Sequence, residues 1–295
     1  MDSNVMQLGV THELSTGVLT RVDVDDEHYY FLDGIFCLGM TTVLDIGAPF
    51  PQALREYLRR TDPQESAQNM EYKRDRGSGL HGALELLMNG VNVQTEELRT
   101  DYEKKAVETF IRFMRFLKPQ KFRSEFTVAD KDLRVAGTVD FVGVVDPRRV
   151  QMLLDPNKYL KRDNDGDWEP KTEHQSMLDG DVELEKIIID WKFTGRNNYN
   201  HKVQVAGYAD MYAKSYADES PVSRKFTWRF SPQHKANFDF SESLLTVTSF
   251  QRIYDTAIEY LGGFPEPPVI TVYPKTFELF KKVAINQDGF IEDAS

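Results

Sequence analysis

The sequence predicts an α/β fold: a mixed central β-sheet flanked by helices. Three observations predict it. An amphipathic helix pattern covers Asp101–Leu117. Three apolar, strand-like runs follow, at Phe122–Ala129, Leu133–Val145 and residues 186–193. A second helix pattern, His201–Tyr216, comes soon after the last run. Elements in that order bury their apolar faces by stacking helices on a sheet. A chain of 295 residues is long enough for a full core, as one large domain or two small ones.

In chain order, residues 16–37 alternate apolar and polar around Asp25-Asp26-Glu27, which predicts a hairpin. Thr41–Leu44 and Pro51–Arg60 predict helical turns, with Pro51 near a helix start. Residues 61–78 are polar and charged and read as a mobile connection. Leu80, Ala83, Leu84 and Leu87 then form one helical stripe over Leu80–Met88. In Asp101–Leu117, Ala106, Val107, Phe110, Ile111, Met114 and Leu117 keep the helical period, and Pro119 lies beyond the end. Asp130-Lys131-Asp132 turns the first strand into the second. On that second strand Val135, Val139 and Phe141 are expected on one face, with Thr138 and Asp140 on the other.

Residues 146–185 hold Pro147, Pro156, Pro170, Gly166 and Gly180. They read as a long, flexible insertion between two pairing strands. Within it, Asp163-Asn164-Asp165-Gly166-Asp167 has its glycine misplaced for a calcium loop and lacks the distal glutamate, so a solvated turn is expected. A loop with Gly195, Asn197 and Asn198 precedes His201–Tyr216. Residues 224–231 and 236–240 predict a hairpin and Thr248–Leu261 a helix, and Pro265, Pro267 and Pro268 open a loosely structured tail.

The bulk properties bound the function. The net charge of −11 disfavours broad phosphate attraction. The acid is concentrated in 155–185 and at the C-terminus, while basic residues group at Arg55/Arg59/Arg60, Lys73/Arg74/Arg76 and Lys158/Lys161/Arg162. Those groups suit either a local basic channel or scattered solvated charge. The single Cys37 excludes an internal disulfide and any multi-cysteine metal cluster. No run approaches the ~18 apolar residues of a membrane span. Met1-Asp2-Ser3-Asn4 lacks the basic start of a signal peptide, and a cytoplasmic location is expected.

The chemistry gathers around Ile187-Ile188-Ile189-Asp190-Trp191-Lys192. Alternate strand residues share a face, so Asp190 and Lys192 project together at the end of an apolar strand. Asp140 sits in Gly137-Thr138-Val139-Asp140, in the middle of another. Buried carboxylates are costly unless paired or bound to a cation. On spacing alone, a divalent-metal site and a buried Asp–Lys ion pair fit equally. His81 with Glu85 at i+4 fits an ordinary surface pair. Glu125 alone fits a surface residue as well as a site residue. Gln204 and Tyr208 share a helix face, as would a partly buried tyrosine and its neighbouring amide.

Taken in order, Gly77-Ser78-Gly79-Leu80-His81, Glu125, Gly137-Thr138-Val139-Asp140, Asp190-Trp191-Lys192 and Gln204-x-x-x-Tyr208 resemble the PD-(D/E)XK nuclease superfamily in its RecB-like exonuclease branch. The resemblance covers about residues 77–212, and Thr41–Arg60 also resembles the helical start of such proteins. It implies a restriction-endonuclease-like core at 77–216 holding the insertion 146–185. An N-terminal extension would occupy 1–76, and C-terminal additions would pack on the core at 217–295.

It further implies a Mg²⁺- or Mn²⁺-dependent DNA exonuclease of phage or bacterial recombination, repair or processing. His81, Asp140, Asp190 and the main-chain carbonyl of Trp191 would be metal ligands, and Lys192 the catalytic lysine. Gln204 and Tyr208 would lie next to the DNA, with Glu125 in support. DNA, single-stranded or with duplex ends, would be the substrate, and a single-strand-annealing or DNA-binding protein a partner. No iron–sulfur cluster is expected, since its cysteines are absent. Val139 replaces the proline that names the motif, and the Asp140-to-Asp190 gap exceeds what a hairpin needs. A structure-specific endonuclease or nickase, and a non-catalytic nucleic-acid-binding protein on the same fold, are the alternatives.

Overall fold

A computed structural model describes residues 9–24, 27–91, 93, 98–193, 198–267, 270–272, 281–285 and 291–293. The chain start at Met1–Asn4, Asp25 and Asp26 of the hairpin turn, and Gly195 and Asn197 of the loop lie outside these. The fold is mixed α/β, with a large mixed central sheet flanked by helices. No helix among the described residues is long and apolar enough to cross a membrane.

The chain opens with an antiparallel meander of β1 (Gly9–Leu14), β2 (Gly17–Val24), β3 (Glu27–Leu32) and β4 (Ile35–Gly39). The expected hairpin is its β2–β3 unit. Asp33 and Gly34 both adopt positive φ between β3 and β4, as a tight hairpin turn requires. Two helices follow, α1 (Met40–Gly47) and α2 (Gln52–Arg60).

Residues 61–78 are helix rather than a mobile connection, because α3 runs unbroken over Pro63–Met88. Asp62 caps it by accepting from the Gln64 and Glu65 amides, and Pro63 takes the first helical position. The stretch is polar because most of it is exposed, not because it lacks structure. The expected line between residues 76 and 77 therefore falls inside a helix.

Helix α4 (Asp101–Leu117) has a reciprocal cap, in which Thr100 accepts from the Glu103 amide and Glu103 accepts from the Thr100 amide. Strands β5 (Lys121–Asp130) and β6 (Val135–Val145) form the long central hairpin. The other edge of β6 is shared. Strand β4 pairs parallel to Val135 and Ala136, and β9 (Glu185–Lys192) pairs antiparallel to Phe141–Val145. Between them, residues 137–140 have no strand partner on that edge among the described residues. Strand β10 (Arg224–Phe230) runs parallel to β9, and β11 (Phe238–Glu242) pairs antiparallel with β10, as the predicted hairpin requires.

The sheet has a core on each face. Phe110, Phe113, Phe116 and Leu117 of α4 pack with Ile187, Ile189, Trp191, Phe226 and Trp228. On the other face, α1, α7 (Tyr199–Ser215) and α8 (Val247–Leu261) cover Val135, Val139, Val142 and Ile188. Val139 and Phe141 thus belong to opposite cores, which corrects the expectation that they share a face. The strand rotates at Asp140. Opposite it, Glu125 adopts a left-handed φ of 47° and drops out of the β5–β6 ladder. Such interruptions increase local twist and re-aim side chains.

The 146–185 stretch is packed rather than flexible. It forms α5 (Pro147–Leu154), α6 (Pro156–Tyr159), the small hairpin of β7 (Leu160–Arg162) and β8 (Trp168–Pro170), and a 3-10 helix over Thr172–Leu178. Val150, Met152, Leu153 and Leu160 are buried in the α4-side core. The expected solvated turn lies within the hairpin, where Asp163 Oδ1 accepts from the Asp165 and Asp167 amides. Beyond Pro267 the described residues form three short antiparallel strands, β12 (Ile270–Val272), β13 (Lys281–Ile285) and β14 (Ile291–Asp293), where a loose tail is expected from the prolines.

Candidate functional site

The gap in the β6 edge is the floor of a cavity of about 520 Å³. Its lining includes His81, Glu125, Asp140, Asp190, Lys192, Gln204 and Tyr208. All seven side chains singled out in the sequence meet there. They come from α3, β5, β6, β9 and α7, so only the tertiary fold joins them.

Asp140 is nearly buried, and its Oδ2 accepts from the Trp191 amide at 2.6 Å. That bond stands in for the strand pairing lost where β6 and β9 part. It also turns the Trp191 main chain toward Asp140. His81 Nδ1 lies 3.6 Å from Asp140 Oδ1 and 3.7 Å from Glu125 Oε1. One ligand atom from each of His81, Glu125 and Asp140 fits within 4.8 Å of the others, a spacing that could hold a metal ion. The left-handed Glu125 thus joins the cluster directly. Its partner is not visible in the sequence, because alternation predicts nothing about a residue that leaves its ladder. His81 turns to Asp140 and Glu125, whereas the exposed Glu85 one turn on remains at the cavity wall.

Asp190 is 2% exposed, and Lys192 Nζ donates to its Oδ1 at 3.0 Å and lies 2.8 Å from its Oδ2. The Asp–Lys pair and the acidic cluster therefore stand side by side instead of being alternatives. Burial pushes the Asp190 carboxyl up to about 6, although the Lys192 ammonium opposes the rise. Burial likewise raises Asp140, opposed by His81. Burial works against protonated His81, but the Asp140 and Glu125 carboxylates outweigh it and raise its pKa. The Lys192 ammonium is held in the same way, with Asp190 and Asp140 outweighing burial. The site concentrates negative charge that protein groups only partly neutralise.

No family model and no curated protein matches the chain.

The roof is α7. Gln204 Nε2 donates to the Tyr208 hydroxyl at 3.4 Å, and both side chains are buried. Gly137 on β6 lets Tyr208 come close, since a Cβ there would stand 2.8 Å from its ring. His201 extends the same stripe at i−3 from Gln204. Burial, with help from Lys192 and Arg229, lowers its pKa to about 3, so its imidazole is neutral. Its buried Nδ1 has no hydrogen-bond partner among the described residues. The helical spacing alone could have added it to the candidates.

Arg21, Tyr30, Arg76, Tyr102 and Phe193 contribute without belonging to any motif. Thr138 Oγ1 accepts from Arg21 Nη1 at 3.0 Å and bonds the Tyr30 hydroxyl at 3.1 Å, so the meander closes one end of the cavity. The Tyr102 hydroxyl donates to the carbonyl of Phe193, the residue after Lys192. The Arg76 guanidinium stacks on Tyr102 at 3.9 Å, and the Phe193 ring meets His81 edge-on at 5.3 Å. These contacts tie the end of β9 to both α3 and α4.

Proposed function

We propose that the protein is a metal-dependent DNA exonuclease with a restriction-endonuclease-like core, of the RecB-like type. One observation carries this reading: Asp140, Asp190 and Lys192 share one cavity with His81 and Glu125. The donors fit a hard divalent cation, being carboxylates plus one imidazole in a pocket of excess negative charge. Mg²⁺ or Mn²⁺ bound there would supply Lewis-acid polarisation of a phosphoryl oxygen and activation of water.

The chain's own groups do the rest. His81, Glu125 and Asp140 would hold the ion, with Asp190 and the Trp191 carbonyl beside them. The Trp191 amide fixes one Asp140 oxygen, so the other faces His81. Lys192 holds Asp190 and keeps a positive charge where negative charge grows on phosphate during in-line attack. Gln204 and Tyr208 present an amide and a hydroxyl to the substrate from the roof.

The test is digestion of end-labelled single-stranded DNA, end-labelled duplex and a closed circle, with and without Mg²⁺. Mononucleotides released from ends, with the circle intact, are expected. Cutting of the circle would make the enzyme an endonuclease or nickase. Metal-independent binding without cleavage of any substrate would leave only a nucleic-acid-binding protein.

A further inference from the structure

Helix α3 carries three glycines within six residues, Gly77, Gly79 and Gly82. Each costs a helix interior roughly 1 kcal/mol relative to alanine. Helical glycine is usually explained by a neighbour that leaves no room for a methyl group. Gly207 in α7 is such a case, since its Cβ would stand 2.5 Å from Met40 Cε. The α3 glycines are different: apart from adjoining residues and the helix's own backbone, no heavy atom among the described residues lies within 4 Å of a Cβ built on any of them. Packing within the protein does not call for bare backbone here.

Gly82 is the one of the three that lines the cavity, between Ser78 and Glu85 and beside His81. Residues 78, 81, 82 and 85 share one helix face. That wall is therefore low at 78 and 82. His28 and Tyr30 of the meander also line the cavity. The floor is deep, with Asp140 8% and Asp190 2% exposed. About 520 Å³ suits a short piece of one strand. A duplex is far too wide to reach such a floor.

We propose that a single nucleic-acid strand enters this cavity across Gly82, with its sugar–phosphate backbone against the bare α3 backbone, and that a duplex must be unpaired before it reaches Asp140 and Asp190. This rests on the reading of the cavity as a phosphodiester-cleaving site. Glycine is the residue that lets a ligand approach main chain closely. Any larger side chain at 82 takes the space the strand needs. The exposed imidazole of His28, also at the cavity, suits a base, which stacks without regard to sequence.

The experiment compares wild type with Gly82→Ala and Gly82→Leu. Both variants should melt at or above the wild-type temperature, since each regains helix propensity. Mn²⁺ affinity by calorimetry should be unchanged, because the ligands are untouched. Binding of a labelled single-stranded oligonucleotide in Ca²⁺ should fall at least ~10-fold in Gly82→Leu and less in Gly82→Ala. An end-crosslinked duplex should bind the wild type far more weakly than the single strand.

Full oligonucleotide affinity in a well-folded Gly82→Leu overturns the proposal. So does an equal loss of Mn²⁺ affinity, which would mean the substitution acts through His81. Equal binding of the crosslinked duplex overturns the single-strand requirement. A wild type that binds the strand, loses it in Gly82→Leu and yet cuts nothing would support the strand path and sink the hydrolytic reading. A wild type that binds no oligonucleotide overturns both.

Discussion

At the scale of single residues, the roles separate cleanly by what each side chain touches. Among the described residues, the Lys192 ammonium is hydrogen-bonded to Asp190. Lys192→Ala should therefore cut DNA cleavage by at least ~100-fold, the usual loss when a charge aimed at the transition state is removed. Mn²⁺ affinity and fold should be retained, as calorimetry and circular dichroism would read. Wild-type turnover in that variant would take lysine out of the chemistry. Asp140→Asn and Asp190→Asn should show the opposite signature, with weakened Mn²⁺ binding measured directly; unchanged affinity in both would end their assignment as ligands. The residues legible in the sequence were those whose burial was anomalous, above all Asp140 and Asp190 in apolar strands. Glu125 was legible only through its place in a motif order. Its backbone departs from the strand, and no sequence rule announces a glutamate at φ 47°. Tyr102 and Arg76 left no trace either, since an aromatic and a cation on separate helices look like ordinary core and surface.

At the scale of elements, helices followed their periodicity, whereas β6 broke its alternation at Asp140 and polar stretches misled. Residues 63–79 of α3 are helical without an apolar stripe, because that part of the helix projects into solvent. Proline and glycine in 146–185 mark the starts of α5 and α6 and the hairpin turn, not disorder. Two links also anchor this segment to α4: Arg115 Nη1 lies 3.0 Å from Asp167 Oδ2, and Arg149 Nη1 donates to the Phe116 carbonyl at 3.0 Å. Met152→Ala should accordingly cost about 2–5 kcal/mol of unfolding free energy by urea titration, as for a buried core side chain. A change below about 0.5 kcal/mol would show the segment to be an appendage. The pairing of β6 with β5 and β9 was expected, but the parallel pairing with β4 could not be read from pattern. Strand pairing over such distances is set by packing, and the alternation of each strand is silent about its neighbours.

At the scale of the molecule, charge decides behaviour in solution. With a net charge of −11, affinity for DNA should come from the cavity and not from a broad basic face. The slope of log affinity against log salt should be shallow, roughly −2 to −4, as for about two to four neutralised phosphates. Steep salt dependence that ignores Ca²⁺ would place the binding surface elsewhere. Acid should weaken the fold through Glu219, which joins Arg123 of β5, Lys186 of β9 and Tyr212 of α7. Burial opposes its charge, but the Tyr212 and Lys186 hydrogen bonds and the Arg123 charge lower its pKa from 4.5 to about 2. A carboxyl depressed in the fold binds its proton more readily when unfolded. Its contribution is complete above about 4.5 and is lost as pH falls through about 2. Glu219→Gln should flatten stability against pH across that window, and an unaltered acid limb would remove it from the account. The shared edge of β6 has a consequence for the order of events during folding. Asp140 is held by an amide that arrives only when β9 docks, and the cavity closes only when β4 docks beside it. Both are long-range closures, which are slow. In a refolding time course, helical signal should therefore recover well before Mn²⁺ binding does. On the proposed reading, a chain still being synthesised would stay chemically inert until Lys192 had emerged and found its place, with no need of a separate inhibitor.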